Sequence, residues 1–206
     1  SRDLVERYLL AVHSLGISPV IVLNKVDISD PDLHEPGAAV LGHLEDYRAL
    51  GYTVIETSCK ASPGVSELET TLKGGTSIFV GQSGVGKSSL VHRLLPDLDI
   101  QIGELSQVTG KGTHTTTTTM LYHLPDGGYL MDSPGVWEYG LWKLDDLQIA
   151  SGFIEFEPFL PSCRFNDCLH VSEPSCGIKA AVDSGDILEW RYHAYLRLLE
   201  QNRQAF

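Results

Sequence analysis

Apolar residues recur along this chain with two alternating periods. Leu4, Val5, Tyr8, Leu9, Val12 and Leu15 fall at helical spacing, and Gly16 follows as a residue able to end a helix. Pro19–Leu23 (PVIVL) is a short β-branched run of the kind that fills a buried parallel strand. Helical spacing returns within 38–50 at Val40, Leu41, Leu44 and Tyr47, and Tyr52–Glu56 (YTVIE) predicts a second strand. Val65 to Leu72 predicts a short helix. Ser77–Val80 (SIFV) predicts a third strand, which runs into a Gly-rich turn and then a helix over Ser88–Leu95. The alternation predicts an α/β sheet with right-handed crossovers.

The pattern then breaks. Residues 103–119 are rich in Gly and Thr and poor in apolar side chains, which predicts a mobile loop. Met120–Leu124 and Tyr129–Asp132 flank Pro125-Asp126-Gly127-Gly128, a hairpin signal. A final helix is expected from near Asp186, where Asp186 and Glu189 have capping-box spacing and Ile187, Trp190, Tyr195, Leu198 and Leu199 supply apolar positions. No internal repeat is visible.

Composition narrows the class. With 206 residues, 42% hydrophobic, 20% charged, 20 Gly and 10 Pro, the chain is not disordered, collagenous or of low complexity. The length allows one sizeable core with an appendage, or two small domains. The longest apolar run, Pro19 to Leu23, is far short of a membrane span. A formal charge of −12 argues against a basic nucleic-acid coat over most of the surface. The chain starts at Ser1 without a signal h-region, and its first residues already read as a helix; further sequence upstream is expected. A reducing cytoplasm is then the default compartment.

Gly81-Gln82-Ser83-Gly84-Val85-Gly86-Lys87-Ser88 satisfies G-x-x-x-x-G-K-[ST] and lies between a strand and a helix. Glycines let backbone N–H groups curl around phosphate oxygens, and the helix N-terminus adds positive potential. Lys87 would bridge the β- and γ-phosphates, and the Ser88 hydroxyl would ligate Mg²⁺.

Asn24-Lys25-Val26-Asp27 directly follows the first strand. Asp27 can accept from guanine N1–H and its exocyclic amine. Adenine offers neither donor there and would leave the carboxylate buried and unpaired, which is a source of selectivity. The Lys25 stem can pack along the purine face, and Asn24 can tie this loop to the phosphate loop. Thr57-Ser58-Cys59-Lys60, after the second strand, can present a backbone N–H near Cys59 to the guanine carbonyl, with the Cys59 thiol as a bystander.

Asp132-Ser133-Pro134-Gly135 ends the second hairpin strand. Asp132 can hold Mg²⁺ through water, and the Gly135 N–H can reach a γ-phosphate. In the best-known GTPases a Gln follows and orients the attacking water; here Val136 cannot hydrogen-bond. The loop Gly110-Lys111-Gly112-Thr113-His114-Thr115-Thr116-Thr117 offers replacements. His114 can orient or deprotonate water, and a Thr can complete the Mg²⁺ shell. The base motif precedes the phosphate loop, the reverse of the ordinary GTPase order, so the chain is circularly permuted. The nucleotide-sensing loops therefore lie directly before the C-terminal part.

That part holds Cys163-x4-Cys168-x-His170-x5-Cys176. Three thiolates and an imidazole suit tetrahedral Zn²⁺ in a closed, structural site. Cys59, the fourth cysteine, is left as a free thiol.

Taken together, the permuted order, GQSGVGKSS, the G-x-G-x-H-T-T-T loop, DSPG with a hydrophobic residue after it and the C-x4-C-x-H-x5-C cluster resemble the RsgA (YjeQ) family. These are bacterial GTPases of small ribosomal subunit biogenesis. The resemblance implies GTP hydrolysis stimulated by the small subunit, a late maturation checkpoint, and nucleotide-dependent binding to and release from 16S rRNA. It implies an N-terminal OB-fold, here expected before Ser1, a permuted GTPase domain at 1–150 lacking its first strand, and a zinc-binding helical domain at 151–206. By position it makes His114 the catalytic histidine, with Lys87, and Thr116 the switch threonine and a Mg²⁺ ligand with Ser88 and Asp132; Thr115 and Thr117 stay open for that role. Thr113 stands where the family often has Arg or Gln. The nucleotide is GTP or GDP with Mg²⁺, and its expected contacts are Asn24, Lys25, Asp27, Ser58, Cys59, Lys60, Gly81, Gln82, Ser83, Gly84, Val85, Gly86, Lys87, Ser88, Ser89, Asp132 and Gly135. The zinc ligands are Cys163, Cys168, His170 and Cys176. A cytoplasmic monomer without membrane contact is expected. The rival readings are an ATP-using P-loop enzyme and a zinc-stabilised RNA-binding module with a vestigial nucleotide site.

Overall fold

The computed structural model describes residues 2–28, 43–82, 84–96, 120–132 and 144–204. The loop expected at 103–119 lies outside them. The chain divides into two compact units, one of residues 20–34 and 53–140, the other of 1–19, 35–52 and 141–206.

The first of these holds the strands. β1 (Val20–Asn24) pairs in parallel with β2 (Thr53–Thr57), from Val20 opposite Thr53 to Asn24 opposite Thr57. β3 (Thr76–Ile78) pairs in parallel with β5 (Tyr129–Asp132), and β4 (Met120–His123) closes the expected hairpin on β5. Among the described residues these form two sheets, β1-β2 and β3-β5-β4, rather than one. No ladder joins β1 to β3 there, so parallel pairing follows the predicted alternation without a continuous sheet. Helices α3 (Ser66–Leu72) and α4 (Lys87–Leu94) supply the apolar faces that cover the strands. Ile55, Leu68, Leu72, Leu90, Val91, Leu94 and Leu130 form one buried cluster.

The second unit is helical: α1 (Arg2–Ser14), α2 (Leu44–Ala49), α5 (Asp146–Ser151), α6 (Gly177–Ser184) and α7 (Glu189–Gln204). Gly16 ends the α1 segment at φ +67°, its N–H donating to His13 O, as its position predicts. α5 opens with a capping box: Asp145 accepts from Gln148 N at 2.7 Å, and the Gln148 side chain accepts from Asp145 N. Ile154–Ser162 forms a 3-10 run containing Pro158 and Pro161, residues without the N–H that a longer α-helix needs. α7 starts at Glu189, not near Asp186. The Asp186 carboxylate takes the Ser184 hydroxyl at 2.6 Å, while the Leu188 carbonyl receives Arg191 N and Tyr192 N.

This helical core buries Phe153, Phe156, Ile178, Tyr195 and Leu198 together with Cys168 and Cys176. Within it Arg191 is 1% exposed. Its guanidinium pairs with Glu6 and with Glu155 (Nε to Oε1 2.5 Å) and lies 4.6 Å over the Phe153 ring. Tyr47 donates to Glu6 at 2.5 Å. Burial alone would drive the arginine toward neutrality, but the Glu155 and Glu6 carboxylates outweigh it and hold the guanidinium charged.

Candidate nucleotide site and metal centre

Parallel strands deliver their C-terminal ends to one edge, and the sequence places the base motif there. Asn24 is the last residue of β1, and Lys25 turns the chain sharply at φ +67°. The Asn24 amide donates to Val85 O at 3.0 Å, and its own oxygen accepts from the buried Thr57 hydroxyl at 3.2 Å. Lys25 Nζ lies on Gly84 O at 2.6 Å. Asn24 and Lys25 thus bind the phosphate loop directly. Gly86, at φ +95°, completes the fit: a Cβ there would overlap the Asn24 amide nitrogen. Lys87 opens α4 and folds back over the loop, its Nζ on Gly81 O (2.6 Å) and Gln82 O (3.0 Å). Ser88 and Ser89 follow in the first turn of α4.

Asp27 sits in a short 3-10 turn and is exposed. Its carboxylate accepts the Ser58 hydroxyl at 2.6 Å, and Ser58 Oγ in turn accepts from Lys60 N and Ala61 N. The two base loops are thereby one hydrogen-bonded unit. Cys59 is half-buried, and burial pushes its thiol up against a smaller opposing pull from Arg93. Ser58, expected only as one of the nucleotide contacts, holds Asp27 through its hydroxyl. Thr57, one residue past the strand expected at 52–56, ends β2, and its hydroxyl on Asn24 was not among the expected contacts. Asp132 ends β5 as expected. Ser83, the 110–117 loop with His114, Thr115, Thr116 and Thr117, and Gly135 lie outside the described residues.

In the helical unit the expected ligands converge. Single ligand atoms of Cys163, Cys168, His170 and Cys176 all lie within 4.8 Å of one another, a group able to hold a metal ion. His170 Nδ1 is 3.6 Å from Cys163 Sγ and 3.4 Å from Cys176 Sγ, and the two sulfurs are 4.0 Å apart. Cys163 ends the 3-10 run, and Cys176 caps α6. Gly177 donates its N–H to Cys163 Sγ at 3.3 Å, placing a helix N-terminus against a sulfur. A Cβ at Gly177 would overlap Phe159 O. Burial pushes the Cys168 thiol up to about 12 and the His170 imidazolium down. The Cys168 thiol must therefore shed its proton to ligate a metal.

Glu173, absent from the expected site, organises the loop. Its Oε1 accepts from Leu169 N (3.0 Å), and its Oε2 from Val171 N (2.9 Å) and Ser172 N (3.1 Å). Tyr192 and Tyr195 of α7 donate to His170 O and Leu169 O, each at 2.6 Å. The available signal was a carboxylate three residues past the histidine, inside a loop too short to pair its own amides.

Comparison with known proteins agrees with this arrangement. The family model for the RsgA GTPase matches residues 1–142. The chain is 50% identical over 198 residues to the small ribosomal subunit biogenesis GTPase RsgA of Chromohalobacter salexigens, covering 96% of this chain and 57% of that one. It is 48% identical over 201 residues to RsgA 1 of Vibrio vulnificus, covering 97% and 56%. It therefore spans somewhat over half the length of these relatives. Among solved structures it is similar to YjeQ from Thermotoga maritima (TM-score 0.79, 33% identity, 98% of this chain and 66% of that one). It is also similar to YloQ, a circularly permuted GTPase (TM-score 0.77, 29% identity, 100% and 64%). With the base motif bonded to a phosphate loop that follows it in the chain, the protein belongs to the RsgA GTPase family.

Proposed function

We propose that this chain binds guanine nucleotides and hydrolyses GTP as part of a factor that acts on the small ribosomal subunit. The observation that carries the reading is the junction of Asn24 and Lys25 with the carbonyls of Val85 and Gly84. It joins base recognition to phosphate binding in one preformed unit. Asp27, held by Ser58, receives the guanine N1–H and amine on its remaining lone pairs. The carboxylate is exposed in the free protein, so the desolvation that rejects adenine arrives with the base itself. Lys87 exchanges two loop carbonyls for the β- and γ-phosphates, and the amides of residues 84–88 close around them. Ser88, Thr116 and Asp132 are the proposed holders of Mg²⁺, which when bound offsets charge on the phosphates. His114 is proposed to orient or deprotonate the attacking water.

For the metal centre we propose one structural Zn²⁺. Tetrahedral zinc, with Zn–S of about 2.3 Å and Zn–N of about 2.0 Å, sets sulfurs about 3.8 Å apart and sulfur to nitrogen about 3.6 Å. The separations of 4.0, 3.6 and 3.4 Å among Cys163, His170 and Cys176 are close to those of that donor set, and Cys168 Sγ lies within 4.8 Å of all three. The proposed GTPase domain at 1–150 and zinc domain at 151–206 differ from the two compact units, since residues 1–19 and 35–52 group with the C-terminal helices. The names of the relatives support a small-subunit partner, which we propose is met through 16S rRNA by a cytoplasmic monomer.

Displacement of a fluorescent GDP analogue tests base selectivity: GDP competes and ADP does not. Displacement by ADP at equal concentration would remove the role of Asp27. Full subunit-stimulated turnover by His114→Ala would remove that of His114.

A further inference from the structure

We propose that Glu173 is the internal template of the metal loop, its carboxylate winding residues 168–176 into the ligating conformation before a metal arrives. The inference rests on reading Cys163, Cys168, His170 and Cys176 as a metal centre. Glu173 is not one of the four ligands; it is occupied by backbone. Both of its oxygens are used, one by Leu169 N and the other by Val171 N and Ser172 N. Such charge-assisted bonds are about twice as strong as neutral ones. Burial opposes the carboxylate's charge, and the backbone amides overcome it, holding Glu173 below its usual range.

The bonded amides bracket His170, which adopts φ +57°; Ser175, further along the loop, adopts φ +55°. Left-handed backbone at a side-chain-bearing residue persists only where surrounding contacts over-determine it. Those contacts are present on both sides of His170. Glu173 holds the N–H groups of the peptides around it, and Tyr192 and Tyr195 hold the carbonyls of His170 and Leu169. The ordering cost of presenting the imidazole is therefore met by the chain itself.

The test is chelator-driven metal loss from the zinc-loaded chain, read by a chromogenic chelator and by the visible absorption of a cobalt-loaded sample. Glu173→Gln keeps the size but offers the three backbone donors one acceptor oxygen and an amide NH2 that is itself a donor. It should lose metal at least ~10-fold faster, the scale seen for groups that orient metal ligands. Asp167→Asn removes the same charge from an exposed position in the same loop and should leave the rate unchanged. Equal rates for wild type and Glu173→Gln, or an equal change in Asp167→Asn, would overturn the proposal. Should Glu173→Gln fail to fold, hydrogen exchange of metal-free wild type decides. Protection of the Leu169, Val171 and Ser172 amides is expected, and exchange at unstructured rates overturns the template. A wild-type chain that binds neither zinc nor cobalt would remove the metal reading itself, a failure distinct from loss of amide protection.

Discussion

Single residues in this protein do most where a charge has been taken out of water. Arg191 keeps its charge in the helical core because Glu6 and Glu155 face it. Arg191→Leu leaves two carboxylates without their partner and should cost about 3–5 kcal/mol, read as a lowered denaturant midpoint. At the base loop, Asp27→Ala removes the acceptor for two guanine donors. It should weaken GDP binding about 10- to 100-fold and leave ADP binding unchanged, measured by titration calorimetry. His13 gives a pH signature. Burial, aided by the nearby Arg191, lowers its pKa below 6.5, with a smaller opposing effect of Glu155. Its ring nitrogen contacts the Tyr52 hydroxyl at 3.1 Å. The unfolded state then binds the extra proton first. This contribution is fully present above the unfolded pKa of about 6.5 and is lost as pH falls below it toward the folded value. Stability of wild type between pH 7 and 5 should fall more steeply than that of His13→Gln, with melting curves as the check.

At the scale of elements, the loops work because neighbouring strand ends are locked before any ligand binds. Gly86→Ala forces a Cβ into the Asn24 amide and strains a φ of +95°, so it should abolish nucleotide binding while the far-UV circular dichroism is retained. The strands and the helices up to α4 were legible because apolar runs and apolar spacing mark them in the residues themselves, whereas α5, the 3-10 run at Ile154–Ser162 and α6 were not expected. PVIVL and YTVIE became β1 and β2 within one residue of the expected ends. The candidate metal cluster was legible because thiols and imidazole at that spacing have few uses other than metal binding. What was not legible lies in contacts distant in sequence or made by backbone. Arg191 and Glu6 are charged residues at core positions of amphipathic helices, and nothing local says which partner compensates them. Glu173 bonds only to amides, which carry no side-chain signature. The helix expected from Asp186 started three residues later because the Asp186 carboxylate found the Ser184 hydroxyl first.

For the whole molecule, the compact units cut across chain order: α1 and α2 group with the C-terminal helices, while β1 and β2, which follow them in the chain, belong to the other unit. Cys168 and Cys176 are members of the helical core as well as of the proposed metal site. Stripping the metal should therefore lower the thermal midpoint of the chain, and re-addition of zinc should restore it. The acidic surface, with its formal charge of −12, makes bulk attraction to RNA unfavourable. The proposed ribosomal partner would then be met through local contacts, and its binding should respond less to salt than that of a basic protein. The proposed guanine-specific hydrolysis is decided by phosphate release from GTP and from ATP, each with and without small ribosomal subunits. Release from GTP alone, accelerated by the subunits, is expected. Equal release from ATP, or a GTP rate that subunits leave unchanged, would contradict it.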